Sequence, residues 1–411
     1  MVTHDGEARP VGEATRALSV SLAGEGDGLA SAIVQMRAGA RIVINEKLIK
    51  AYQAASSPHS IRALKSDIEA FDTWCRRANR VSVPATAETV ADYLDARAGK
   101  GSRPASLSRY KASIAKIHQL LDLKDPTQAE LVKLRLRAIR REKGTAQAQA
   151  RPLRFKGPVR DVERDKPRGI NIRGLLEACA DDLPGLRDRA LLSVAYDTGL
   201  RASELVAIEI EHIHEAIDPE ARLLAIPRSK SDQEGEGATA FLSPRSVRAI
   251  TAWTEAAGIR HGPLFRRVQV RRYKARAAVK GRSIDSITGR ETWDLRKTLS
   301  RPAVPARTEY DIGSVALHPA SIGPIYRAMI QRAFDTGALS DLTADDIVRL
   351  LKGVSAHSTR VGLNQDLFAS GEDLAGIMDA LRWKSPRMPL AYNRNLAAEA
   401  GAVGRLLERL K

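Results

Sequence analysis

The sequence predicts a mainly α protein with a small β-hairpin, arranged as an all-α N-terminal domain followed by an α+β domain. Three observations carry this. Apolar residues make up 43% of the 411 positions and aromatics only 4%, so the cores are built from Ala, Leu, Ile and Val, a mix that favours helix over sheet. Apolar positions recur at spacings of three and four through much of the chain, the period of a buried helix face. Turn-rich Arg228 to Gly237 separates two short apolar runs at hairpin spacing. A chain this long is expected to hold two or three domains, each able to bury its own core.

Residues 1–40 are rich in Gly, Ala and Glu with weak periodicity and read as a disordered arm. Residues 41–145 read as the helical domain. Ile61, Leu64, Ile68, Phe71 and Cys75 mark one helix, with Ser60 placed to cap it. A second runs near Thr89 to Ala98, a third carries Leu107, Ile114, Ile117 and Leu121, and a fourth spans about Thr127 to Lys143. Residues 146–168 read as a linker: Lys133 to Arg168 holds thirteen Lys/Arg against four Asp/Glu, and Pro152, Pro158 and Pro167 oppose helix.

The second domain is expected over 169–411. Leu175 to Ala178 and Leu186 to Tyr196 read as helices, and Leu223 to Ile226 and Thr239 to Leu242 as the hairpin strands. Residues 266–316 read as an irregular basic surface insertion, with twelve Lys/Arg and three Asp/Glu between Arg266 and Arg301. Helical pattern resumes near Ser321, and a tail at 396–411 places Val403, Leu406, Leu407 and Leu410 on one stripe.

The formal charge of +17, from 66 Lys+Arg and 49 Asp+Glu, points to a polyanionic partner, nucleic acid first. Cys75 and Cys179 lie far apart with no metal-ligand spacing, which predicts neither a disulfide framework nor a metal site. No apolar run reaches the roughly 18 residues of a membrane span, and the N-terminus lacks the pattern of a secretory signal. The expected compartment is the cytoplasm.

The chemistry-bearing residues gather late in the chain. His357 and Arg360 share a helix face at i and i+3, Trp383 follows the helix Leu374 to Leu381, and Tyr392 follows Ser385-Pro386, which reads as an N-cap and first helical residue. Pro389, without an N–H, is expected to weaken that last helix. A phenol with a free pKa of roughly 10 attacks a phosphodiester only among cationic donors. Upstream, Arg201 opens a helix after Gly199 with Glu204 three residues on, and Lys230 sits in the hairpin turn. Taken singly, each is an ordinary surface or core residue.

Their order and spacing together resemble the tyrosine recombinases, the phage integrase family. Arg201 and Glu204, Lys230, His357 and Arg360, Trp383 and Tyr392 follow the family's sequence of an Arg-x-x-Glu pair, a hairpin lysine, a His-x-x-Arg pair, a His or Trp, and the nucleophile. The resemblance runs from about residue 45 to the C-terminus. The insertion and the N-terminal arm depart from the pattern.

What it implies is a two-domain DNA clamp that recombines paired inverted-repeat sites without metal or other cofactor. Tyr392 would form a 3′-phosphotyrosyl bond, and Arg201, Arg360 and Trp383 would bind the non-bridging oxygens. Lys230 would protonate the leaving 5′-oxygen, His357 would handle the tyrosine proton, and Glu204 would orient the donors. Arg327, Gln331 and Arg332, and in the first domain Arg109 and Lys111, are the implied DNA contacts. The 396–411 tail would dock on a neighbouring protomer, giving a homotetramer on two double-stranded sites with a monomer or dimer at each. A type IB topoisomerase-like relaxing enzyme and a catalytically silent DNA-binding protein are the alternatives.

Overall fold

The computed structural model describes residues 28–39, 44–146, 149–157, 166–227, 237–278, 301–394 and 402–410. It divides into two units, Met1–Gln147 and Ala148–Lys411. The first holds six helices among the described residues: α1 (Gly28–Val34), α2 (Glu46–Ala54), α3 (Pro58–Arg77), α4 (Ala87–Gly99), α5 (Pro104–Leu120) and α6 (Glu130–Lys143).

Their starts follow local capping chemistry. The Ser57 hydroxyl accepts from the Ser60 N–H, with Pro58 at the first helical position, so α3 begins one turn before the expected cap at Ser60. Thr86 caps α4 in the same way. Ile68, Phe71 and Cys75 of α3 meet Tyr93 and Leu94 of α4, Leu107, Ile114 and Ile117 of α5, and Val132, Leu136 and Ile139 of α6 in one core. Phe71 and Trp74 present their edges to Tyr93, with centroids 5.0 and 5.4 Å away, the geometry a ring quadrupole favours. Burial pushes the Cys75 thiol up to about 12, so it packs as an inert apolar group.

The arm expected over 1–40 is corrected where it is described. Leu29, Ala32, Ile33 and Met36 are buried, and α1 packs on α3. Seven residues are too few to show a period, and a helix that short is stable only when docked. Residues 1–27 lie outside the described residues.

The second unit contains α7 (Ile172–Glu177), α8 (Leu183–Thr198), α9 (Ala202–Val206) and α10 (Pro244–Ala257). After them come α11 (Ile322–Asp335), α12 (Ala344–Leu351), α13 (Ser358–Ala369), α14 (Leu374–Ala380), α15 (Arg387–Tyr392) and α16 (Ala402–Arg409). The antiparallel sheet β1 (Ile213–Glu215), β2 (Arg222–Ile226), β3 (Ala238–Leu242) has that spatial order, with Ile226 opposite Ala238. The expected hairpin is β2–β3; β1 was not anticipated, because three residues carry no alternation. The fold is mainly α with small antiparallel sheets.

Helix α8 is the axis of this unit. Ala190, Leu191, Leu192, Val194 and Ala195 are fully buried, and the helix packs against α10, α13 and β3. At its end Asp197 accepts from the Ser243 N–H (2.9 Å) and from the hydroxyls of Ser243 and Ser246 (2.5 Å each). These bonds tie the end of α8 to the start of α10.

Two further expectations change. The insertion at 266–316 is an extended ribbon rather than irregular chain: β4 (Arg266–Tyr273) pairs antiparallel with β5 (Arg307–Ala316). Both faces of the ribbon are largely exposed, so no apolar alternation announces it; residues 279–300 lie outside the described residues. The linker placed at 146–168 is in part a strap of the second unit. Arg151 and Leu153 donate backbone hydrogen bonds to Gly353 and Ser358 (2.8 and 3.0 Å), and Leu153 is fully buried. A Cβ at Gly362 would stand 1.8 Å from the Leu153 carbonyl. That glycine therefore permits the close approach of strap and α13.

Candidate active site

Gly199 ends α8 in the left-handed conformation at φ 56°, turning the chain so that Arg201 becomes the N-cap of α9. There the Arg201 N–H and Nη1 donate to the two Glu204 oxygens at 3.0 and 2.7 Å. Burial pushes the Glu204 carboxyl up, but the Arg201 hydrogen bonds and the charges of Arg201 and Arg360 outweigh it and hold it below the usual range. Glu204 is thus an anion that fixes Arg201 in place.

Arg360 projects from α13 and is completely buried. Nη1 donates to the Gly199 carbonyl (2.5 Å), and Nη2 donates to the Leu381 carbonyl. Its guanidinium lies 4.8 Å from the Trp383 ring centroid, within cation–π range. Burial, then the neighbouring Arg201 and Arg382, lower its pKa to about 9. It stays charged at neutral pH, with backbone dipoles and one shared carboxylate around it.

His357 precedes α13, and its Nε2 lies 2.9 Å from the Tyr392 hydroxyl. Burial, followed by the charges of Arg360 and Arg201, lowers the imidazole pKa to about 4. At neutral pH the ring is uncharged and one nitrogen is free to accept a proton. Tyr392 is pushed up by burial, against the pull of Arg360 and Arg201, so a base is needed to ionise it. Trp383 stands 5.8 Å from the Tyr392 ring.

Tyr392 is held from α13. The Gln365 side chain donates to the Tyr392 carbonyl (3.0 Å), and Asn364 donates to the Asn393 side chain (2.8 Å). From the strap, Gln149 donates to the Ala391 carbonyl. Pro386, not Ser385, is the N-cap of α15. Pro389 is therefore the third helical residue, a position whose N–H has no partner within the helix, so the expected weakening does not arise. Asn364 and Gln365 do not stand out in the sequence, since amides are common on exposed helices; Arg382 and Asn393 are marked there only as neighbours of Trp383 and Tyr392 in stretches that agree with the family pattern.

Six of the seven expected catalytic residues converge: Arg201, Glu204, His357, Arg360, Trp383 and Tyr392. Lys230 lies outside the described residues. The expected DNA contacts are more dispersed. In α5, Arg109 donates to both oxygens of buried Asp67 at 2.6 Å, and Lys111 is half-buried. In α11, Arg327 donates to the Val354 carbonyl (2.9 Å) and exposed Gln331 to Asp335 (2.9 Å). Arg332 is half-buried, close enough to Asp188 and Cys179 to bias their ionisation. Arg109 thus gives one nitrogen to Asp67 while its side chain stays half exposed, and the Nη1 of Arg332 is buried without a hydrogen-bond partner among the described residues.

A phenol, a neutral acceptor beside it and guanidinium donors around both, one buried and one partly exposed, are the equipment of a covalent phosphoryl transferase. The profile of the phage integrase family matches residues 168–300, a stretch that includes Arg201, Glu204 and Lys230 but ends before His357. The chain is 26% identical over 358 residues to the recombinase Cre of Escherichia phage P1, covering 86% of this chain and 89% of that protein. It is 30% identical over 242 residues to an integrase/recombinase XerD homolog of Selenomonas ruminantium, covering 55% and 66%.

In fold alone it is similar to the Tn1549 transposon integrase in complex with transposon right end DNA, with TM-score 0.51, 12% identity and coverage of 88% and 98%. It is likewise similar to the XerH site-specific recombinase bound to a palindromic difH substrate, with TM-score 0.50, 11% identity and coverage of 92% and 94%. The chain belongs to the phage integrase family of tyrosine recombinases.

Proposed function

We propose that this chain is a site-specific DNA recombinase that cleaves and rejoins strands at paired inverted-repeat sites through a 3′-phosphotyrosyl intermediate. The observation that carries the reading is the 2.9 Å contact between His357 Nε2 and the Tyr392 hydroxyl, with the imidazole neutral and Arg360 and Arg201 beside it. The Tyr392 oxygen attacks phosphorus in line and passes its proton to His357. The bond from phosphorus to the 5′-oxygen breaks, and Lys230 supplies the proton that oxygen takes up. Arg201, Arg360 and Trp383 bind the non-bridging oxygens, where charge builds in the transition state. Attack by a 5′-hydroxyl of the second site reverses the step, so the phosphodiester energy is kept.

Both units contact the duplex, the ordinary role of a basic chain on phosphate. Lys111, Arg109 and Gln331 contribute contacts from half-exposed or exposed positions, and Arg327 and Arg332 from half-buried ones. Helix α16 leaves Val403, Leu406, Leu407 and Leu410 between 55% and 72% exposed. A second copy of this chain covers them in a homotetramer on two sites. Among the described residues no helix is long and apolar enough to cross a membrane, and the DNA substrate places the protein in the cytoplasm.

The test uses duplexes enriched from a randomised pool by binding to the full chain, then nicked so that the cleaved end diffuses away. A detergent-resistant protein–DNA adduct that disappears in Tyr392→Phe is expected; its absence in the wild type defeats the reading. Exchange between two sites, beyond relaxation of supercoils, separates a recombinase from a topoisomerase. Truncation after Asn395 is expected to abolish tetramers while single-site binding survives.

A further inference from the structure

At the end of α14 the Trp383 N–H bonds the Met378 carbonyl (2.8 Å) and the Arg382 N–H bonds the Asp379 carbonyl (2.9 Å). This is the paired closure of a helix around one left-handed residue. Glycine is the usual occupant, because a Cβ is disfavoured in that conformation. Here the position is Arg382, at φ 52°. The backbone is therefore strained to keep this side chain, and strain kept at a site is a pointer to use.

The side chain turns inward. Its Nη2 donates to the Thr198 carbonyl (2.9 Å), and its Nε is buried without a hydrogen-bond partner among the described residues. The next carbonyl along, that of Gly199, is taken by Arg360, whose other nitrogen reaches the carbonyl of Leu381. Two guanidinium groups thus stitch two turns together. The turn at 198–199 leads into Arg201; the turn at 381–382 leads into Trp383. A Cβ at Gly199 would stand 2.4 Å from Leu381 Cδ2, so the turns are already as close as side chains allow. The added charge of Arg382 is also felt by Arg360.

We propose that Arg382 is a positioning residue for strand cleavage: it locks the turn that presents Arg201 to the turn that presents Trp383, at the expense of backbone stability. The inference rests on the recombinase reading above. It makes an unusual claim about one substitution. Arg382→Gly removes the guanidinium and at the same time relieves the left-handed strain, so activity and stability should move in opposite directions.

The experiment compares full-length wild type, Arg382→Gly and Arg382→Lys by thermal melting, by affinity for the enriched duplex, and by the rate of adduct formation on its nicked form. Arg382→Gly is expected to melt at or above the wild-type temperature and bind the duplex equally. Its adduct should form about ten- to a hundredfold more slowly, the scale of a small misplacement of catalytic groups. Arg382→Lys, which keeps one donor for the Thr198 carbonyl, recovers part of the rate. A wild-type rate in Arg382→Gly overturns the proposal. So does a loss of melting temperature and binding in step with the rate, which makes Arg382 an ordinary structural bond. A wild type that forms no adduct removes the recombinase reading itself, and Arg382 with it.

Discussion

Arg154 and Arg360 are both buried guanidinium groups held at the same helix, α13, at 4% and 0% exposure, yet they are compensated in different ways. Arg154 meets the carboxylate of Asp366 at 2.5 Å, and Asp366 also accepts from the Tyr196 hydroxyl (2.5 Å) and the Phe155 N–H (2.9 Å). Its charge is neutralised, and the bond fastens the strap to the catalytic helix. Arg360 has carbonyls for partners and two further arginines nearby, with Glu204 as the shared anion. One buried cation serves the fold; the other is left short of negative charge, which in the proposed reaction an incoming phosphate would supply. A buried pair is not strong evidence of stability, but breaking one is costly.

The difference can be tested in order of expected effect. Tyr392→Phe, which removes the reacting oxygen, should form no adduct while binding DNA as the wild type does, measured by gel shift and denaturing electrophoresis. Arg360→Lys keeps the charge but loses the fork that spans Gly199 and Leu381. Adduct formation should slow by about 10²–10³, with little change in DNA affinity. Asp366→Asn should act the other way, lowering unfolding free energy by about 3–5 kcal/mol in denaturant titrations as the buried Arg154 loses the carboxylate charge that faces it. Equal effects of the two substitutions on rate and stability would erase the distinction between them.

The pH dependence is smaller and follows from His357. Its folded pKa, about 4, lies below its unfolded value. The unfolded chain therefore binds the extra proton first, so this group's stabilisation is complete above about pH 6.5 and is lost as pH falls toward 4. Cleavage under kcat/KM conditions should hold its rate through pH 6.5 and fall nearer 4. An acid limb at 6.5 would mean a solvated imidazole. Smallest of all, Pro389→Ala should change the melting free energy by less than about 1 kcal/mol, because no helical hydrogen bond is gained or lost at that position.

Much of the fold is legible in the sequence. Long helices such as α3 and α5 advertise a period, and β2–β3 advertises its turn. Short or two-sided elements do not: α1 has seven residues, β1 three, and the β4–β5 ribbon exposes both faces. The N-cap of α3 lies three residues before the expected Ser60, at Ser57, because both serines are able to cap, and that of α15 lies one residue after the expected Ser385, at Pro386.

Of the proposed site, the sequence by itself singled out the candidate groups: Arg201, Glu204, His357, Arg360, Trp383 and Tyr392 are chosen by residue type and order, which chemistry restricts. Only the tertiary structure decided their states. A neutral His357, an anionic Glu204 and an Arg360 fixed by the Gly199 and Leu381 carbonyls depend on burial and on charges far apart in the chain. The same holds for Arg382, whose left-handed backbone and reach to Thr198 are visible only once α8 and α14 are brought together. Proton affinity and orientation are properties of surroundings, and surroundings are what folding supplies.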